Sequence, residues 1–212
     1  MLEKLTAQFL ETRVFRYANQ QDEDEIDVLQ RMGLTTEAVA EIIGLLRERQ
    51  EIESLEALLD KPFNPKLQLE KQRIVSRYSD GSIRVFYGAL ERETAEAEVK
   101  HHIRKYLTPQ HATKPRTVYY LGFACDFVGN SKDLREKYSE WPWLTHDTDS
   151  SISKCHNIAR EAVQEGLDGL LAPSARRNNG TCLPVFKRTA ISNPESTEFV
   201  AFTFDPTTSQ FI

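Results

Sequence analysis

Apolar residues in this chain recur at two spacings, and the change from one to the other divides it into elements. Residues 12–18, "TRVFRYA", read as a short strand after a brief N-terminal helix. A long, highly charged stretch over 22–60 follows. Its Ile26, Leu29, Val39, Ile42, Ile43, Leu46, Ile52, Leu55 and Leu59 recur at helical spacing. "KPFNP" (61–65) closes it, because two prolines cannot continue a helix. "SDGS" (79–82) is a turn, 83–89 is strand-like and 91–106 is helical. After the loop "TPQHATKPR", residues 117–127 form the most pronounced strand pattern. A short helix is expected over 132–138, then an aromatic-bearing loop, "EWPWLTHDTDSS". A helix over 151–166 should stop at Gly166. "LDGLLAP" reads as a short buried strand, "SARRNNG" as a loop, and "CLPVF" and "EFVAFTF" as closing strands.

Strands and helices mix without a regular βαβ rhythm, so the expected fold class is α+β. No internal repeat or low-complexity tract interrupts the pattern. With 212 residues and 40% hydrophobic content, the chain suits one domain over 1–212 carrying a helical insertion at about 22–60.

Charge and cysteines narrow the function classes. The net charge of −5 is unfavourable for general nucleic-acid binding, since phosphate contacts need a cationic surface. A few placed arginines can still hold an anionic small molecule. Cys125, Cys155 and Cys182 are odd in number and widely separated, which implies neither a disulfide framework nor a zinc site; inert buried thiols are expected. The N-terminus lacks the pattern of a signal peptide, and no segment has the apolar length of a membrane span. A soluble cytoplasmic protein without membrane or nucleic-acid partners is therefore expected.

Three segments carry candidate chemistry. "FYGALERETAEAEVKHH" (86–102) holds Glu91, Glu93, Glu96 and Glu98. At 3.6 residues per turn, Ala95, Val99, His102, Ile103 and Tyr106 share a face, Glu93 points away, and Glu91, Glu96 and Glu98 flank that face. Periodicity does not choose among the three. Glu98 and His101 form a Glu-x-x-His pair, but di-iron sites need a second copy on another helix, so no metal is expected and His102 reads as buried or semi-buried. Residues 33–51 invite a helix-turn-helix reading, yet Arg47 and Arg49 stand among glutamates that would repel DNA; a packing or partner-binding insertion fits better. "LAPSARRNNG" (171–180) ends a hydrophobic strand and can present backbone N–H groups, Ser174 and Arg176 to a phosphate or carboxylate. It lacks the Gly-x-Ser-x-Gly of a hydrolase elbow.

Together these segments resemble the RES domain family, toxins of bacterial toxin–antitoxin modules related in fold to ADP-ribosyltransferases and acting on NAD. The matching pieces are "VFRYA" with Arg16 and Tyr17, "SRYSDGSIRVFYGALERETAEAEV" with Arg77, Tyr87 and Glu98, and "GLDGLLAPSARRNNGTCLPVF" with Ser174. The resemblance runs from about residue 13 to 188, apart from the insertion. It implies a mixed sheet core with flanking helices. It selects Glu98 as the catalytic carboxylate, with Arg77 and Tyr87. Arg16, Tyr17, Arg77, Tyr87 and Ser174 are the implied substrate contacts. The charged stretch separates the first arginine segment from the second more widely than is usual in the family, which leaves Arg13 as a competitor to Arg16; the tyrosine after Arg16 favours the latter.

The implied substrate is NAD+, cleaved at its nicotinamide–ribose bond by a glycohydrolase or phosphorylase. An ADP-ribosyltransferase modifying a protein is the alternative. A non-catalytic interaction protein working through the 22–60 insertion is the reading from another class. A cognate antitoxin is an expected partner, and a second copy of the chain is a candidate one.

Overall fold

The computed structural model describes residues 1–19, 54–64, 75–107 and 113–212, with isolated positions 35, 38, 41 and 42. Apart from those isolated positions, the expected insertion, including the helix-turn-helix candidate, lies outside the described residues up to residue 53. Its end is helical, as the sequence pattern requires: α1 spans Leu55–Asp60, with Ser54 capping it by accepting from the Ala57 amide.

The described residues form an α+β fold. Seven strands make a mixed sheet: β1 Gln8–Asn19, β2 Phe86–Ala89, β3 Arg116–Asp133, β4 Gly169–Pro173, β5 Thr181–Val185, β6 Ile191–Asp205 and β7 Gln210–Phe211. Two longer helices pack on it, α2 Arg92–Tyr106 and α3 Asp149–Gln164. The sheet order is β1-β2-β5-β4-β3-β6-β7, and β1 also pairs with β3. Five strands therefore close a ring, β1-β2-β5-β4-β3, and β6 and β7 extend from it. Only β3–β4 is parallel.

Period-two alternation sends successive residues to different cores. Val14, Phe86, Leu121, Phe123, Cys125, Phe127, Leu171, Leu183 and Val185 fill a core that α1 joins through Leu58 and Leu59. From the same strand as Leu171, Leu170 and Ala172 face α3 and pack on Cys155, Ile158, Ala159 and Ala162. On a third side α2 lays Ala95, Val99 and Ile103 against Tyr17, Ala89, Val118, Phe202 and Phe204.

The helix ends follow from the sequence. Thr148 caps α3 by accepting from the Ser151 amide. Beyond Gln164, Gly166 takes φ +75 with its N–H on the Val163 carbonyl, and the Leu167 N–H reaches back to the Ala162 carbonyl. This left-handed cap is why the helix stops there. The strand over 117–127 is longer than its pattern suggested, continuing to Asp133, and β7 carries no apolar run that would announce it.

The stripe expected on α2 needs correction. Buried positions run Ala95, Val99, Ile103 and continue to the partly buried Leu107, whereas Tyr106 is 75% exposed and His102 is exposed. Steps of four advance 400° on a 3.6-residue helix, so the face drifts past Tyr106 and onto Leu107. No helix among the described residues is long and apolar enough to cross a membrane.

Candidate active site

Glu98 leaves α2 one residue before the buried Val99, half-buried beside the start of the loop after β4. Ser174, the first residue of that loop, donates its hydroxyl to Glu98 Oε1 at 2.8 Å. The Ser174 hydroxyl oxygen accepts in turn from the amides of Arg176 at 3.1 Å and Arg177 at 3.2 Å. Ser174 thus consumes the two backbone donors that the sequence offered to an outside anion, and turns its own proton toward the carboxylate. The Ser174 amide closes the loop on the Gly180 carbonyl. Gly180 is glycine because a Cβ there would stand 2.6 Å from Thr94 Oγ1 on α2.

The other glutamates of the stretch are occupied differently. Glu91 accepts from the Thr94 hydroxyl and from the Thr181 amide, tying α2 to β5. Glu96 pairs with Lys100 one turn on. Glu93 is exposed. Glu98 alone among the four meets Ser174, and it also lies 3.4 Å from Cys182 Sγ. Cys125 and Cys155 are buried, as expected of inert thiols, but Cys182 is only partly buried. Burial and the Glu98 charge push the Cys182 thiol well above its ordinary pKa, so it stays protonated.

Arg176 extends the cluster. Its Nε lies 3.9 Å from Glu98 Oε2, and its two terminal nitrogens donate to the two oxygens of Asp147, at 2.5 and 2.8 Å. This fork holds the Asp147 carboxyl below its usual range. Arg77 shares Asp147 with Arg176: it donates to Asp147 Oδ1, and to the carbonyls of Leu144 at 3.1 Å and His146 at 2.8 Å.

Tyr87, on β2, steadies the turn that carries Arg77. Its hydroxyl shares a 2.7 Å hydrogen bond with Ser76 and accepts the Tyr78 amide at 2.9 Å, the residues on either side of Arg77. Burial raises the Tyr87 hydroxyl to about 12. Helix α3 grips the same turn through His156 Nε2 on the Ser76 carbonyl and Arg160 on Asp80.

Arg16 and Tyr17 diverge, as neighbours on a strand must. Arg16 lies with its guanidinium 4.6 Å from the Phe86 ring centre and 3.5 Å from the Tyr87 carbonyl. Burial lowers its pKa to about 10, which leaves it charged at neutral pH. Tyr17 packs in the α2 core and donates to Glu198 at 2.5 Å, so the structure does not bring its hydroxyl to Glu98. Arg13 projects to the Tyr17 side of the strand and pairs with Asp126 and Glu195. Of the six residues singled out in the sequence, Glu98 and Ser174 touch directly. Arg77 and Tyr87 connect to them through Asp147 and Arg176.

Asp147 was not anticipated. It sits in an irregular polar loop with no periodic or motif signal, and only the fold shows that two arginines converge on it. Among the described residues no group of three or more His, Cys, Asp or Glu side chains is placed to hold a metal ion.

A family model described as the RES domain matches residues 54–205. That span contains Arg77, Tyr87, Glu98, Asp147, Ser174 and Arg176, and begins beyond Arg16 and Tyr17. One solved structure, described as the crystal structure of the M. tuberculosis MbcT-MbcA toxin-antitoxin complex, is similar with a TM-score of 0.50 and 12% identity. The alignment covers 96% of this chain and 89% of that one, and at this identity it speaks for the fold. No curated protein sequence matches significantly. The family match extends over far more than half of the chain, and with it the chain belongs to the RES domain family.

Proposed function

We propose that this protein cleaves the nicotinamide–ribose bond of NAD+, with Glu98 as the catalytic carboxylate. The observation that carries the reading is the Ser174–Glu98 hydrogen bond of 2.8 Å beside Arg176, which holds a half-buried carboxylate in one orientation at the mouth of a cationic loop. It is supported by the RES match, whose span includes both residues.

In this reaction the bond between ribose C1′ and the pyridinium nitrogen breaks, and its electron pair returns to the ring. Nicotinamide leaves neutral, so no acid is needed to protonate it. Positive charge builds on the ribose, and a fixed carboxylate stabilises it. An incoming oxygen then bonds to C1′ and loses its proton, to Glu98 or through it to solvent. Water gives ADP-ribose, phosphate gives the 1″-phosphate, and a protein side chain gives an ADP-ribosylated target.

Ser174 keeps one Glu98 oxygen hydrogen-bonded and leaves the other toward the substrate. Arg16 and Arg176 supply positive charge for the diphosphate. The Tyr87 ring is the candidate face for nicotinamide.

Toxicity to the producing cell and neutralisation by a protein partner belong to the same proposal. They rest on the family and on the toxin–antitoxin complex to which the fold is similar. Co-expression with the product of a neighbouring small gene tests the partner.

The decisive assay incubates the purified protein with NAD+ and follows nicotinamide release, with mass spectrometry of the ribosyl product. Wild type should release nicotinamide and Glu98→Ala should not. Release at the wild-type rate by the folded variant would overturn the assignment. Absence of NAD+ turnover by wild type, free of any inhibitor, would favour the interaction-protein reading.

A further inference from the structure

Arg77 is poorly disposed to act on a substrate by itself. Its fork already has three acceptors, the Leu144 and His146 carbonyls and the Asp147 carboxylate. What it holds is the segment 144–147, and that segment presents Asp147 to Arg176. Arg176 in turn is not saturated. Its two outer nitrogens are fixed on Asp147, but its Nε is buried without a hydrogen-bond partner among the described residues and faces Glu98 Oε2 at 3.9 Å. A buried N–H without an acceptor is costly, so something holds it there. A two-point carboxylate fork explains how: Asp147 fixes the plane of the guanidinium, and the plane dictates where Nε points.

We propose that Asp147 is a positioning residue, which clamps Arg176 so that its Nε–H faces Glu98, and which is itself set in place by Arg77. The inference rests on Glu98 being the catalytic carboxylate and deepens that reading. Arg77 then contributes to turnover through Asp147 and Arg176 rather than by gripping the diphosphate. Tyr87, by holding the residues on either side of Arg77, belongs to the same support.

The arrangement suits the chemistry. A guanidinium at that distance fixes the direction of Oε2 without forming the short pair that would tie it down. Free rotation of Arg176 would replace this with a mobile cation able to pair with Glu98 directly, at the expense of the carboxylate's field on the ribose.

The test compares wild type, Asp147→Asn and Asp147→Glu in NAD+ turnover, with folding checked by thermal denaturation. Asparagine matches the shape but removes the charge and puts an NH2, a donor, where one of the two acceptor oxygens faced the Arg176 fork; glutamate keeps the charge. Asp147→Asn should lower kcat roughly tenfold or more with little change in KM, and Asp147→Glu should recover part of it. Adding Arg176→Gln to Asp147→Asn should cost little beyond either single change, since both break one connection.

Wild-type kcat in folded Asp147→Asn, a rise in KM alone, or fully additive losses in the double variant would each overturn the proposal. Should Asp147→Asn not fold, Arg176→Gln with Asp147→Glu provides the same cycle, and additivity there overturns it equally. Loss of turnover in the wild type itself would instead overturn the parent reading and leave the clamp to be followed by the NMR signal of the Arg176 Nε–H. That signal should move in Asp147→Glu, and an unchanged signal would refute the clamp.

Discussion

Ser174 Oγ stands 2.8 Å from Glu98 Oε1, joining the loop after β4 to helix α2 across 76 residues of sequence. The same hydroxyl accepts two loop amides, so one side chain both shapes the loop and aims the carboxylate. Replacing it with alanine deletes three hydrogen bonds, one of them to a charged group.

Ser174→Ala should therefore lower kcat/KM about ten- to a hundredfold, the equivalent of one charged hydrogen bond of roughly 1.5–3 kcal/mol. Ser174→Thr keeps the hydroxyl and should lie between. Steady-state nicotinamide release checks both. Equal activity in wild type and Ser174→Ala would mean that Glu98 needs no help in finding its orientation.

Glu98→Gln separates charge from shape. Its carbonyl oxygen can still accept from Ser174, so the melting temperature should stay close to that of wild type. Without the negative charge there is nothing to stabilise the ribosyl cation, and turnover should fall by about a hundredfold to a thousandfold or more. Calorimetry and the turnover assay on one preparation decide. A variant that keeps most of its rate would show that Glu98 acts only as a hydrogen-bond acceptor.

Much of this was legible before the fold was known, and the remainder has identifiable reasons for being hidden. β4 could be read because "GLLAP" is an apolar run closed by proline, and α3 because Gly166 supplies the left-handed cap at its end. The choice of Glu98 could not come from periodicity, since Glu91, Glu96 and Glu98 all flank the buried face of α2. What separates them is contact: Glu91 binds β5, Glu96 binds Lys100, and Glu98 meets Ser174. The divergence of Arg16 and Tyr17 was available from the sequence, because adjacent strand residues face opposite ways. Asp147 was not available, since its importance lies wholly in long-range neighbours, Arg77 at 70 residues and Arg176 at 29. Cys182 was equally hidden: its place beside Glu98 depends on β5 pairing with both β2 and β4.

His101 gives a pH-dependent prediction. Desolvation chiefly, then the Arg176 charge, lowers its pKa in the folded protein. The unfolded chain takes up its proton as pH falls through about 6.5, while the folded protein resists. Between the two pKa values the unfolded state binds more protons, so the stability this group contributes is present above the unfolded value and declines as pH drops through that window. Melting temperatures measured from pH 7.5 to 5.5 should fall less steeply in His101→Asn than in wild type. Parallel curves would show that His101 contributes nothing to the acid side of the profile.

Gly129→Ala tests the frame at a distance from Glu98. Gly129 lies on β3, where an added Cβ would come within 2.7 Å of both Cβ and Oδ2 of Asp168. Asp168 has little freedom to retreat. Its carboxylate accepts the Asn130 amide at 2.7 Å and pairs with Lys187 at 2.8 Å, and its backbone bonds to Asn130 and to Phe186. It therefore joins β3, β4 and the end of β5. The overpacked variant should lose roughly 1–3 kcal/mol of stability, read as a lower denaturation midpoint in urea. Because no atom of the Ser174–Glu98–Arg176 cluster is involved, KM for NAD+ should stay unchanged in the folded fraction. A midpoint equal to that of wild type would mean that the Asp168 junction yields without cost, and a raised KM would mean that strain at Gly129 reaches the loop after β4.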